Sequence, residues 1–129
     1  MSITTIRAAL ETRLNGMASP LPTAWENIPY SPTTGTAWQR VRLLVNDPID
    51  RAVTADLAEH RGILEVLLFY PQNAGSSTAA AKAQAIADRF APAQVLTSGS
   101  TRVEIGQTAR IGTAFPQDEW FCIPVSIPW

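Results

Sequence analysis

Residues 61–70 read Arg-Gly-Ile-Leu-Glu-Val-Leu-Leu-Phe-Tyr and give the strongest strand pattern in the chain. Successive side chains of a β-strand point to opposite faces of the sheet. The alternation yields two apolar sets, with Leu64, Val66, Leu68 and Tyr70 on one face and Ile63, Leu67 and Phe69 on the other. Only Glu65 interrupts the second set. A strand that is apolar on both faces is typical of the centre of a sheet covered on both sides, so we expect helices on one face and either a second layer or another chain on the other.

Two amphipathic helices are predicted around this strand. Apolar residues recur at three- and four-residue steps over about 2–15, and Gly16 is placed to end that helix. After the turn at 71–75, Ser76 or Ser77 is expected to cap a second helix that continues to about residue 91. The inner face of this second helix is rich in alanine, which lets it lie close to the surface it covers.

Further strands are predicted on both sides of the central one. Residues 38–45 alternate as a strand, residues 95–105 suggest a hairpin, and residues 109–113 a brief strand. Residues 25–30 suggest a short extended piece at a sheet edge. The last strand, 119–127, contains Pro124, which lacks an N–H, so we expect it at an edge or with a bulge.

The order of these elements predicts an α+β fold. It consists of a mostly antiparallel sheet of about four to six strands with two helices packed on one face. The length of 129 residues fits one domain over 1–129.

Composition excludes several classes of function. Ten basic and eleven acidic residues give a net charge of −1, whereas binding to phosphate backbones requires a local excess of Lys and Arg. Cys122 is the only cysteine, so no disulfide can form within the chain, and a reducing compartment such as a bacterial cytoplasm is expected. The first residues do not resemble a signal peptide, and no apolar run is long enough to cross a bilayer. We therefore expect no membrane association.

Residues suited to catalysis or metal binding are scarce. The single histidine, His60, lies far from Cys122 in the sequence, and a metal site needs several such ligands at workable spacing. Cys122 lies in an apolar strand without basic neighbours, which favours an inert buried thiol. The Gly-Ser-Ser-Thr stretch at 75–78 is explained by a helix cap, and the carboxylates of residues 47–59 by a solvated loop. The sequence thus predicts no catalytic residue, no metal and no cofactor.

Four tryptophans in a chain of this length are many, and each lies near a predicted strand end or a chain end: Trp25, Trp38, Trp120 and Trp129. Tryptophan is enriched in the energetically dominant parts of protein interfaces. Core packing accounts equally well for part of the set. The interpretation that remains is a protein that works through surfaces that bind other subunits.

The order of these segments resembles the tail terminator and tail-completion proteins of long-tailed bacteriophages. The segments that carry the likeness cover nearly the whole chain: residues 6–14, 25–30, 40–44, 61–71, 75–90 and 120–129. They include the Glu-Val-Leu-Leu-Phe-Tyr-Pro run, the alanine-rich helix that follows it, and the closing Trp-Phe-Cys-Ile-Pro-Val-Ser-Ile-Pro-Trp.

The resemblance implies a non-enzymatic subunit of a ring, typically six-fold, that caps the finished tail tube. Its expected partners are further copies of itself, the tail tube protein and a head-completion or connector protein, with DNA only passing through the ring. Its expected locations are the virion tail and, during assembly, the host bacterial cytoplasm. The family has no catalytic residues to transfer.

A ring requires each subunit to carry two different complementary patches. The residues that we predict for subunit contacts are Arg40, Arg42, Asp47, Asp50, Arg51, Asp56, Ile63, Leu67, Phe69 and Trp129. Three other interpretations stay open at this stage. The first is a head–tail connector or tube-associated protein, the second is a small-ligand binding module, and the third is an enzyme that would depend on His60 and Cys122.

Overall fold

Two helices and ten strands make up the regular structure of residues 3–47, 49–50 and 58–129, the part of the chain described by the computed structural model. The helices are α1 (Ile3–Asn15) and α2 (Ser77–Arg89). The strands are β1 (Thr23–Ala24), β2 (Trp38–Val45), β3 (Ile49–Asp50), β4 (Ala58–Glu59), β5 (Gly62–Pro71), β6 (Val95–Ser98), β7 (Thr101–Glu104), β8 (Arg110–Ile111), β9 (Phe115–Gln117) and β10 (Trp120–Pro128).

Six of these strands form one sheet in the order β1-β2-β5-β10-β8, and β9 also pairs with β10. Strand β5 lies at the centre and is antiparallel to both β2 and β10 along most of its length. The two residues of β1 run parallel to β2, so the sheet is mixed. Strands β3 and β4 form a separate two-stranded ladder, as do β6 and β7. The α+β class, the sheet size and the central place of β5 are confirmed.

The larger hydrophobic cluster lies on the face of β5 predicted to be covered by helices. The four alternating residues of that face, Leu64, Val66, Leu68 and Tyr70, all belong to it. Both helices contribute to the same cluster through the following buried side chains: Ile6, Ala9, Leu10 and Leu14 from α1, and Ala79, Ala83, Ile86 and Ala87 from α2. The three alanines of α2 leave room for a close approach, as their spacing predicts.

A smaller cluster lies on the opposite face of the sheet. It contains Leu67 and Phe69 of β5 together with Ala24, Trp38, Trp120 and Cys122. No residue of a described helix belongs to it. The second cover of β5 is therefore in part a set of aromatic side chains from neighbouring strands of the same chain.

The last strand differs from its prediction. Strand β10 lies between β5 and the pair β8 and β9, so it is not an edge strand, and its register with β5 is continuous. The Pro124 carbonyl accepts a hydrogen bond from the Gly112 N–H at 2.8 Å, on the side away from β5. The N and C=O of one strand residue point to the same side, so the missing N–H of Pro124 costs the β5 ladder nothing.

The predicted extended piece at residues 25–30 is also wrong. The strand that pairs with β2 is β1, two residues earlier, and the chain then turns, with the Ile28 N–H bonded to the Trp25 carbonyl. Other predictions held. Strands β6 and β7 form the predicted hairpin around Gly99, which has a φ of 60°. Helix α2 starts after Ser76 as predicted, but the Ser76 side chain makes no capping hydrogen bond, because its backbone is already helical.

The end of β10 is fixed by a close contact with the start of β5. Gly62 and Trp129 exchange two backbone hydrogen bonds, of 3.1 and 3.0 Å, and the indole of Trp129 packs over Gly62. A Cβ placed at residue 62 would lie 2.2 Å from the Leu44 carbonyl oxygen and 2.6 Å from the Trp129 ring. Only glycine fits between β2 and this tryptophan.

We therefore expect Gly62→Ala to lower the free energy of unfolding by about 2 kcal/mol, because both the β2 backbone and the Trp129 ring would have to shift. Urea unfolding followed by tryptophan fluorescence measures the change. Gly106→Ala is the matched control, because a Cβ there meets nothing within 4 Å, and it should stay within about 0.5 kcal/mol of the wild type. Equal stability of the two variants would contradict the packing described here.

Candidate docking surface

The sheet face opposite the helices is buried at one end and half-exposed at the other. Directly opposite residues of neighbouring strands share a face, and here Arg42 lies opposite Glu65 and Leu44 opposite Ile63. Leu44, Ile63 and Glu65 are half-buried, and an Arg42 nitrogen lies 3.3 Å from a Glu65 carboxylate oxygen. Apolar and charged side chains thus alternate on a surface that no described helix covers.

The buried end of this face is an aromatic cluster. Trp38 stacks on Phe69 with ring centroids 4.0 Å apart and an interplanar angle of 5°. Trp120 meets both rings edge-on, at 6.0 Å from Trp38 and 6.5 Å from Phe69. Such pairs stabilise beyond the area that they bury. Phe69 is thereby only 2% exposed.

An open groove of about 510 Å³ lies beside this cluster, between β2 and the segment 24–32 that follows β1. Ile28 and Tyr30 line one wall and are exposed, Ile28 to 59%. Trp38 and Arg40 line the other wall, with the Tyr30 and Trp38 rings 5.2 Å apart. The groove therefore combines exposed apolar side chains with a cationic one, a composition suited to a protein partner.

The segment that forms the groove is held by Glu26. One carboxylate oxygen accepts a hydrogen bond from the Leu43 N–H of β2 and pairs with Arg7 of α1 at 2.8 Å. Burial raises the pKa of Glu26, but the hydrogen bonds from Arg7 and Leu43 and the charges of Arg7 and Arg42 outweigh it, so the pKa is lowered below its ordinary value. By accepting the hydrogen bond of the Leu43 N–H, Glu26 also satisfies a backbone donor that an unpaired strand edge would otherwise leave free.

The residues predicted for subunit contacts are distributed over several places. Arg40, Arg42 and Asp47 are exposed, and Ile63 is half-buried on the uncovered face. Leu67 and Phe69 are buried in the aromatic cluster, and the half-buried Trp129 packs against the larger cluster. Arg51, Asp56 and the side chain of Asp50 lie outside the described residues. The structure thus brings Arg40 and Arg42 together beside the groove and places Leu67 and Phe69 beneath it.

Residues with catalytic potential remain isolated in the described part of the chain. No group of three His, Cys, Asp or Glu side chains there is arranged to hold a metal ion. Burial raises the pKa of the Cys122 thiol, which the Arg40 charge lowers and the Asp118 charge raises to smaller extents. A thiol with a raised pKa is a poor nucleophile at neutral pH. None of the described helices is long and apolar enough to span a membrane.

Sequence reasoning missed several residues that shape this surface. The sequence pattern predicts Glu26, Ile28 and Tyr30 as part of an extended piece, and it gives no indication of strand β9. The turn that exposes Ile28 depends on Glu26 reaching both β2 and α1, contacts that are distant in sequence. The only local signal was the Pro-rich composition around Pro29 and Pro32, which predicts irregular backbone without giving its path.

Comparisons with known proteins agree with this architecture. Residues 5–129 match the family model described as phage tail terminator protein. A solved structure aligns with a TM-score of 0.81 at 27% sequence identity, over 99% of this chain and 94% of the other. No curated protein matches the chain.

We expect Glu26→Gln to lower the free energy of unfolding by about 1 kcal/mol at pH 7, since a charge-assisted bond is lost at a site that water partly screens. Because the folded-state pKa is lowered, the contribution of the charge is complete above the ordinary value of 4.5 and disappears as the pH falls through the folded value. Urea unfolding of both proteins across this range measures the difference. Glu104→Gln, an exposed residue, should change little. A difference between wild type and Glu26→Gln that does not shrink at acidic pH would contradict the assignment.

Proposed function

The chain belongs to the phage tail terminator protein family, and from this premise we propose that it forms a ring that caps the tail tube. In this role the ring ends polymerisation of the tube and offers the surface to which the head is joined. The match over residues 5–129 carries the proposal, because it spans α1 except for its first two residues, the whole of α2 and the whole six-stranded sheet. At the coarser level the chain is a structural component of the virion tail.

The charge of the chain is compatible with this role. A ring at the end of a tail tube lets DNA pass, and a strongly basic lining would retain the phosphate backbone. The net charge of −1 avoids such retention. In this proposal DNA passes through the ring without binding stably, and the stable partners are proteins.

The proposed partners are other copies of this chain, six in a ring, the tail tube protein on one side and a head-completion or connector protein on the other. Closure of a ring needs two different patches on each subunit. The half-exposed sheet face around Ile63 and the groove beside Arg40 are distinct surfaces available for such contacts. Assembly in the host cytoplasm follows from the proposal, since tubes are completed before the virion leaves the cell.

The proposal is tested with tube protein from the same phage, polymerised with and without this chain. We expect tubes formed with the chain to stop elongating and to show extra density at one end by electron microscopy. Arg102→Ala, on the separate hairpin β6–β7, serves as the control variant and should cap equally well. Tubes that grow to the same length, with bare ends, would reject the terminator role. Binding to isolated head connectors without any effect on tubes would favour a connector instead.

A further inference from the structure

The groove beside β2 has a buried hydrogen-bond donor without a partner. Trp38 lines the groove and is 8% exposed, and its indole N–H has no acceptor among the described residues. A buried donor that is left unpaired destabilises the folded chain. The nitrogen itself is buried, so an acceptor can reach it only if a side chain of the groove moves.

The charges at the groove favour an anionic occupant. The Arg40 guanidinium carbon lies 5.6 Å from the centre of the Phe69 ring, and Arg40 makes no ion pair with a described carboxylate. The Arg42 side chain is paired with Glu65 but is still 58% exposed. Glu26, the carboxylate in the groove wall, is already bonded to Arg7 and Leu43. Together with the apolar wall, these features fit a segment that carries carboxylates and a large apolar side chain.

Such a segment is exposed elsewhere on the same chain. Strand β9 and the turn that joins it to β10 present five consecutive exposed residues, 115–119. They include an aromatic ring, Phe115, which is 37% exposed, and two neighbouring carboxylates, Asp118 and Glu119. The turn has a positive φ of 54° at Asp118, and the Asp118 and Glu119 carbonyls accept hydrogen bonds from Gln72, which leaves both carboxylates exposed. Its side chains are the chemical complement of those in the groove.

Within one chain the groove and the hairpin lie on the same sheet but two strands apart. Strands β5 and β10 lie between β2, which borders the groove, and β9. The hairpin is also anchored through β10, whose base Trp120 packs in the aromatic cluster. A groove filled by this hairpin is therefore filled from a second copy.

We propose that the β9–β10 hairpin of one subunit docks in the Arg40 groove of the next. The inference rests on the proposed function, because a groove and a hairpin are different patches, and their pairing is the heterologous contact that a ring requires. Glu119 and Asp118 face Arg40 and Arg42 in this contact. Phe115 covers the exposed Ile28 and Tyr30.

A charge exchange tests the contact. Arg40→Glu and Glu119→Arg should each weaken self-association about tenfold or more, because each places like charges in contact. The double variant Arg40→Glu/Glu119→Arg restores opposite charges and should return the association constant to near the wild-type value. Sedimentation velocity over a wide concentration range and native mass spectrometry give the constants and the subunit count. Thermal unfolding of each variant confirms that the fold is intact.

The matched control is Glu104→Arg, which makes the same change of charge at an exposed residue of β7. It should leave association unchanged. The docking contact would be overturned if both single variants still formed the rings of the wild type. It would also be overturned if the association constant of the double variant fell by the two single losses combined. Neither result would bear on tube capping. A wild-type chain that neither self-associates nor caps tubes would overturn the contact and the proposed function together.

Discussion

The two-sided pairing of β5 is the constraint on which the rest of the structure depends. Its backbone is hydrogen-bonded to β2 on one edge and β10 on the other, which leaves its side chains as the only groups that can bind further layers. Both of its faces are apolar. The helices α1 and α2 bury one face, and the aromatic cluster around Trp38 buries part of the second. Burial of an unbroken apolar strand from both sides is a large favourable term in folding.

The second face receives only a partial cover, and this asymmetry produces the docking surface. Trp38 and Trp120 reach over Leu67 and Phe69, but they do not extend to Ile63 at the other end of the strand. Of these rings, Trp38 lines the groove, and Trp120 lies at the base of the exposed hairpin. A side chain that completes the fold at its inner surface, as Trp38 does, therefore also lines the groove.

The sequence predicted what depends on local periodicity and missed what depends on distant pairing. Alternation along residues 61–70 assigned the six buried side chains of its two faces to their observed clusters, because a period of two is intrinsic to a strand. The predicted position of β10 was wrong. Pro124 lacks an N–H on only one side of the strand, and the sequence pattern does not show which side faces β5. The groove was missed since it exists through Glu26, which joins β2 to Arg7 of α1. Arg40 and Arg42 are exposed, and their predicted contact with another subunit stays a prediction.

The edges of the sheet restrict how subunits can associate. At β2, the outward N–H of Gln39 is bonded to the Pro22 carbonyl and that of Leu43 to Glu26, so these two donors are occupied. At the other edge, β9 contains Pro116, which has no N–H to offer. Edges blocked in this way resist the open-ended addition of strands that leads to aggregation. Association must then proceed through side chains, where charge and shape set a fixed angle between neighbours. A ring needs that fixed angle, since a contact that turns each copy by the same amount closes only when the angle divides the circle.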